Sequence, residues 1–181
     1  MTLLSGAAAE LAAVADRMDE TMLEPSVAAI AAASRVMLYG CGREGLMMRA
    51  LAMRLHHLGL SVCMQGDMAA FPLGPGDLFL CAAGPGYLST GSALVGVAKA
   101  AGARVLVITA EPDGDTCALA DQLLVIPAQT MARDVGGASV LPMGSLFEGA
   151  MFLVFEVLVL RLRETLGETA VSMRARHTNM E

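Results

Sequence analysis

Charged residues are scarce in this sequence. Only 17% of its 181 residues are Asp, Glu, Lys or Arg. The 12 basic residues are outnumbered by 18 acidic ones, giving a net charge of -6, and they form no cluster. Nucleic acid requires a basic footprint, so that class of partner is excluded. Cysteine is sparse as well. Cys41, Cys63, Cys81 and Cys117 lie too far apart for a zinc knuckle or a Cys-x-x-Cys redox pair, and no metal is expected. Three of them sit in or beside apolar runs, where a free thiol acts as a small hydrophobe. Buried reduced thiols fit a cytoplasmic protein. The opening residues, MTLLSGAAAELAAVADRMDE, carry acids and no basic leader. Long uninterrupted apolar runs are missing too. The greasiest stretch, Leu146 to Leu160, is broken by Glu148 and Glu156 and falls short of the ~20 apolar residues of a membrane span. A soluble protein without a membrane partner is expected.

What the chain has is apolar material. Hydrophobic residues make up 55%, which excludes intrinsic disorder. The length fits one domain, spanning residues 1–181. A domain of this size buries roughly 70% of its unfolded-chain surface, enough for a core of its own. So little charge cannot cover a lone monomer, and the surplus apolar surface predicts an oligomer interface.

Periodicity sets the element order. Residues 3–22 are Ala-rich, with Leu4, Leu11, Val14 and Met18 at helical spacing. Glu24-Pro25-Ser26 interrupts that helix, and Val27 to Ser34 form a second, with Pro25 acceptable in its first turn. The run Val36–Tyr39 reads as a buried strand. After Gly42 and Gly45 a helix carries Met47, Leu51, Leu55 and Leu58 on one face, and Gly59 stops it. Further strands are predicted over 61–65, 78–83, 104–110 and 122–127, and helices over 90–101, 115–120 and 145–166. A polar, Gly-rich loop spans about 129–144, and the tail after Gly167 is polar. Five buried strands alternating with helices predict an α/β fold: a parallel sheet in a three-layer sandwich.

In such sheets ligands sit beyond the carboxyl ends of the strands. Two glycine-rich turns reach that edge, Tyr39-Gly-Cys-Gly-Arg-Glu-Gly45 and Ala83-Gly-Pro-Gly-Tyr-Leu-Ser-Thr-Gly-Ser92. Glycine lets backbone approach a ligand, and a helix N-terminus offers N–H groups to an anion. Gly42, Arg43, Glu44, Gly84 and Gly86, with the hydroxyls of Ser89, Thr90 and Ser92, are therefore candidate substrate-binding residues. Helix capping is the plainer role for those hydroxyls. The first turn also has the look of a G-x-G-x-x-G dinucleotide fingerprint. Asp67 stands roughly where a nicotinamide cofactor's acid would be, which makes an oxidoreductase a minor alternative.

The stretch YGCGREGLMMRALAMRLHHLGLSV resembles the first motif of the sugar isomerase (SIS) domain family. The nearest subgroup is 6-phospho-3-hexuloisomerase, with G-x-G-R-S-G followed by A-M-R-L-x-H-L-G. PGDLFLCAAGPG is similar to its P/K-G-D-L…S-G-S-G segment, LPMGSLFE (141–148) to P-M-G-T-L-F-E, and RARHTNME (174–181) to R-H-A-N-L-E. The resemblance implies a flavodoxin-like five-stranded sheet and a homotetramer, a dimer of dimers. It also implies cofactor-free isomerisation of a sugar phosphate through an enediol. It places the base at Glu148 and the acid or ring-opening group at His177, with the tail reaching a neighbouring subunit's pocket. Residue chemistry agrees for Glu148. A carboxylate base needs its pKa raised by burial, which the start of an apolar helix can supply. The helix N-terminus opposes that shift, and Ser145 with Glu148 also fits an S-x-x-E capping box. For His56 and His57, packing or an interface contact is the default.

The departures fall where phosphate is expected. Glu44 replaces a serine, and Ala83 and Pro85 replace both serines of S-G-S-G. A carboxylate about 4 Å from a phosphate costs on the order of 4 kcal/mol per charge pair at an effective dielectric near 20. Glu44 must therefore point away or be neutralised by Arg43, or Ser89, Thr90 and Ser92 rebuild the cradle. Otherwise the sugar carries no phosphate and Glu44 accepts its hydroxyls. A non-catalytic sugar-phosphate-binding module is the remaining alternative.

Overall fold

The computed structural model describes residues 2–134 and 139–180. Residues 135–138 of the predicted loop and Glu181 of the closing motif lie outside that range.

Five strands form one all-parallel sheet: β1 (Val36–Tyr39), β2 (Val62–Met64), β3 (Leu78–Ala82), β4 (Arg104–Thr109) and β5 (Gln122–Val125). Their order is β2-β1-β3-β4-β5, the flavodoxin-like arrangement. Strand side chains alternate between two cores. Val36, Leu38, Leu78, Leu80, Leu106 and Ile108 point to one face. Met37, Phe79, Cys81, Val105 and Val107 point to the other. Both faces are dry, which is why these strands are apolar throughout. Leu38 and Leu80 are fully buried, and truncating either to Ala costs about 2–5 kcal/mol.

The first face is covered by α1 (Leu3–Ala15), α2 (Glu24–Ala32), α3 (Gly42–His57) and α5 (Ser145–Thr165), the second by α4 (Ser89–Ala100). The strands fall within a few residues of expectation. The first helix does not. It ends at Ala15 instead of 22, because Asp19 accepts the Thr21 N–H at 2.9 Å and starts a separate 3₁₀ turn over Glu20–Leu23. α2 then opens at Glu24, with Pro25 in its first turn as predicted. The expected helix over 115–120 is one 3₁₀ turn, Cys117–Leu119. The polar tail contains a short helix, α6 (Ala170–Ala175), closed by a Thr169/Ser172 capping box. Among the described residues no helix is long and apolar enough to cross a membrane.

Candidate active site

Strand order reverses between β1 and β3, and a cleft of ≈ 470 Å³ opens over their carboxyl ends. Its walls are the start of α3 (Cys41, Gly42, Arg43, Glu44), Pro85 and Leu88 after β3, the segment 130–132, and the start of α5. That volume lies within the usual range for small-molecule sites.

Local backbone rules bring the walls together. A Cβ on Gly45 would lie 2.5 Å from the Gly40 oxygen, so only glycine lets α3 start directly on the end of β1. As a result α3 begins at Gly42, not after Gly45 as predicted. Arg43 and Glu44 are first-turn residues rather than loop residues. Across the cleft, Met143 (φ 54) and Gly144 (φ 83) are both left-handed and swing the chain into α5. For methionine that conformation is strained by about 1–3 kcal/mol. The capping box that Ser145 and Glu148 fit in sequence, the alternative to a catalytic Glu148, does not form. Ser145 Oγ instead accepts Arg43 Nη1 at 2.8 Å, and the N-cap residue is Gly144.

Glu148, one turn into α5, is buried, with its side chain 12% exposed. Arg43 Nε lies 2.9 Å from its Oε2. The pair is close enough for Coulomb attraction but is not aligned for a hydrogen bond, so Oε2 has no hydrogen-bond partner among the described residues. Burial raises the Glu148 pKa, and Arg43 opposes the rise. Glu44 faces the same cleft. Its Oε2 accepts the Gly84 N–H at 3.1 Å. Burial pushes its pKa up to about 7, the charge of Glu148 adds to the rise, and the Gly84 bond opposes it. Glu44 therefore does not point away from the glycine turn, and the Arg43 guanidinium is committed to Glu148 and Ser145. Gly84 has no room for a side chain, since its Cβ would lie 2.6 Å from Glu44 Oε1 and 2.7 Å from Phe147 Cε1.

These two glycine turns and the Pro-Met-Gly turn before Glu148 all lie within a stretch that matches a known family. The SIS domain pattern matches residues 29–153. The chain belongs to the SIS domain family. A 3-hexulose-6-phosphate isomerase from Mycobacterium gastri is 36% identical over 172 residues, covering 95% of this chain and 86% of that one. Another, from Methylomonas aminofaciens, is 36% identical over 151 residues, 83% of this chain and 82% of that one. A crystal structure from Methanococcus jannaschii, for which a molecular function of 3-hexulose-6-phosphate isomerase was inferred, superposes with a TM-score of 0.85 at 22% identity, covering 98% of both chains.

Within this SIS domain the other site candidates separate. Gly86 (φ 78) packs against the loop 111–114, where its Cβ would meet the Glu111 oxygen at 2.6 Å. Ser92 Oγ bonds Thr116 Oγ1 at 2.6 Å, and Thr116 Oγ1 accepts the Leu88 N–H at 3.2 Å. Ser89 and Thr90 are exposed at the start of α4, and none of the three hydroxyls lines the cleft. Asp67 caps its own turn, accepting the Met64 N–H at 2.9 Å. His177 lies at the far end of α3, its ring stacked on His57 with centroids 5.2 Å apart. Glu44 and His57 lie thirteen residue steps apart on α3, about 20 Å along the axis. One chain therefore does not bring Glu148 and His177 together.

Thr130 escaped the sequence reading. It is 2% exposed, lines the cleft, and its Oγ1 has no hydrogen-bond partner among the described residues. No motif marks it, since one threonine in a polar loop looks like any other. Among the described residues no three His, Cys, Asp or Glu side chains gather as a metal site.

Proposed function

We propose that this chain is a sugar-phosphate isomerase that interconverts the 3-keto and 2-keto forms of a hexulose 6-phosphate through an enediol. The observation that carries the reading is the Glu148 carboxylate, buried in the switch-point cleft with one oxygen lacking a hydrogen bond. The isomerase names of relatives 36% identical over most of the chain support it. An ionised carboxylate in that position takes the proton from the carbon beside the carbonyl. Rearrangement gives the enediol, and the acid returns the proton to the neighbouring carbon. Arg43 keeps Glu148 ionised while burial keeps it basic. Gly42, Pro85 and Leu88, which line the cleft, hold the substrate.

In the same reading the protein works in the cytoplasm as a homotetramer, a dimer of dimers. His177 of one subunit reaches the cleft of a neighbour, where it acts as acid or ring-opener. Apolar side chains left exposed on adjoining α3 and α5, among them Leu46, Met53 and Phe152, are at least half accessible and suit such contacts. The test is turnover of 3-hexulose 6-phosphate in deuterated water, with light scattering on the same sample. Deuterium at the product carbon, lost in Glu148→Gln, is expected from a tetramer. No exchange with any hexulose or pentulose phosphate would defeat the assignment, and a monodisperse active monomer would remove His177 from it.

A second reading has one observation in its favour. Glu44 already occupies the Gly84 N–H where a phosphate would bind. A sugar without phosphate at that turn avoids the repulsion. Faster turnover of the free hexulose than of its 6-phosphate would establish it.

A further inference from the structure

Moving a carbonyl along a sugar requires two proton transfers. One proton changes carbon, and another must leave one oxygen as its neighbour gains one. Glu148, held by Arg43, serves the carbons in the reading above. We propose that Glu44 is the second acid–base group of this isomerisation, relaying the proton between the two oxygens of the enediol. The proposal rests on the isomerase reading and adds a residue to it.

The geometry is specific. Glu44 sits in the first turn of α3 and shares the cleft with Glu148. Its Oε2 is fixed by the Gly84 N–H at 3.1 Å, so the carboxyl has one orientation. Oε1 lies over the Cα of Gly84, beside the Phe147 ring edge, in the space a side chain there would fill. The titratable and charged groups around it are Glu148 from α5, the Cys81 thiol from β3, and Arg43 from its own turn, which is turned to Glu148. The Cys81 thiol stays neutral, with its pKa pushed up to about 12 by burial and by Glu44 itself. Burial together with the Glu148 charge favours a protonated Glu44, whose pKa reaches about 7.

The step balances. Glu148 takes the C2 proton while neutral Glu44 gives its proton to the C3 carbonyl oxygen, which yields the 2,3-enediol. Ionised Glu44 then takes the proton from the C2 hydroxyl as Glu148 returns its own to C3. Both carboxyls end as they began, and nothing is oxidised or reduced overall. The serine that the resemblance places at this position can donate and accept hydrogen bonds. It cannot cycle through a stable anion near neutrality, so the relay belongs to this chain's glutamate.

The test compares wild type, Glu44→Gln, Glu44→Ser and Glu148→Gln in turnover of 3-hexulose 6-phosphate against pH. It adds a ¹³C NMR titration of glutamate carboxyls. Glu44→Gln is expected to lower kcat about 100-fold or more with KM little changed, as for loss of a general acid–base group. It should also abolish the alkaline limb of the profile near pH 7. Glu44→Ser, which cannot misplace a long side chain, should lose the same limb. One carboxyl resonance, absent from Glu44→Gln, should titrate near 7. Wild-type kcat and an unchanged alkaline limb in both Glu44 variants, alongside an inactive Glu148→Gln, would remove the relay and leave the isomerase intact. A Glu44 resonance titrating near 4.5 overturns it independently of substrate. A wild type without turnover or proton exchange overturns the isomerase reading and the relay with it.

Discussion

Helix α3 has a glutamate-centred cluster near each end, and the two are electrostatic opposites. At its N-terminus Glu44 is half-buried near another carboxylate, and desolvation with that charge raises its pKa to about 7 against the opposing Gly84 N–H. At its C-terminus Glu168 is half-buried and gripped by Arg176, whose Nη1 and Nη2 reach its two oxygens at 2.8 and 2.9 Å. Arg176 and the Ser172 hydroxyl hold Glu168 down at about 2. The same Arg176 Nη1 donates to the His57 carbonyl at 2.8 Å and so docks the tail that carries His177. A carboxyl made reluctant to ionise suits proton transfer, whereas one locked as an anion suits fastening. The fold puts one kind at the sheet edge and the other where the tail must be tied down.

The comparison can be tested first where the effect is largest. Glu148→Gln should lower kcat by about 10³-fold, as expected for the loss of a catalytic base, with the fold retained by circular dichroism. Glu168→Gln should not come near that loss. If it does, the division of labour between the two ends is wrong.

Next is the pH dependence of stability. The folded pKa of Glu44 lies above its ordinary 4.5, so the folded state holds a proton that the unfolded chain releases. Its contribution is fully present below pH 4.5 and is lost as pH rises through about 7. A shift of that size corresponds to about 3 kcal/mol. Denaturant melts at pH 5 and pH 8 should show this loss in wild type and not in Glu44→Gln. Glu168 has the reverse sign. Its pKa is depressed, so its contribution is present above 4.5 and lost as pH falls towards 2. Acid titration of Glu168→Gln against wild type reads that window.

Releasing the tail should do less. Arg176→Ala removes both the Glu168 pairing and the His57 carbonyl contact, freeing α6 and His177. A partial fall in kcat is expected, with the acidic limb that reports Glu148 unmoved. A full loss, or a displaced limb, would mean that the two ends of α3 are coupled.

The smallest effect belongs to Thr130. Its buried hydroxyl lacks a partner among the described residues, so Thr130→Val should stabilise the folded protein by up to about 1 kcal/mol. KM should rise at the same time if that hydroxyl binds the sugar. Unchanged KM with raised stability would leave Thr130 outside the substrate contacts.

Much of the fold was legible because its signals are local. Val36–Tyr39 and Arg104–Thr109 are short apolar runs bounded by turn residues, and both are strands in the centre of the sheet. Gly59 and Gly102 mark helix stops and are left-handed. The extent of α1 was not legible, since Ala and Leu favour helix straight through the point where Asp19 caps a new turn. Helix α6 was hidden in polar sequence because its apolar side is too short to show a period. In the site, Glu148 stood out through its motif. In sequence Glu44 is an obstacle to phosphate, and the capping box that Ser145 and Glu148 also fit gives way to the pairing of Glu148 with Arg43.

By itself the sequence determined the order of strands and helices, the two glycine turns at one sheet edge, and the acid that opens the last long helix. Those depend on periodicity and backbone sterics, which act over a few residues. Only the tertiary structure decided that Glu44 meets Gly84, 40 residues away, that Arg43 chooses Glu148, and that His177 lies at the opposite end of α3 from the cleft. A side chain's charge state is set by what surrounds it at a few ångströms, and that environment exists only once distant segments have packed.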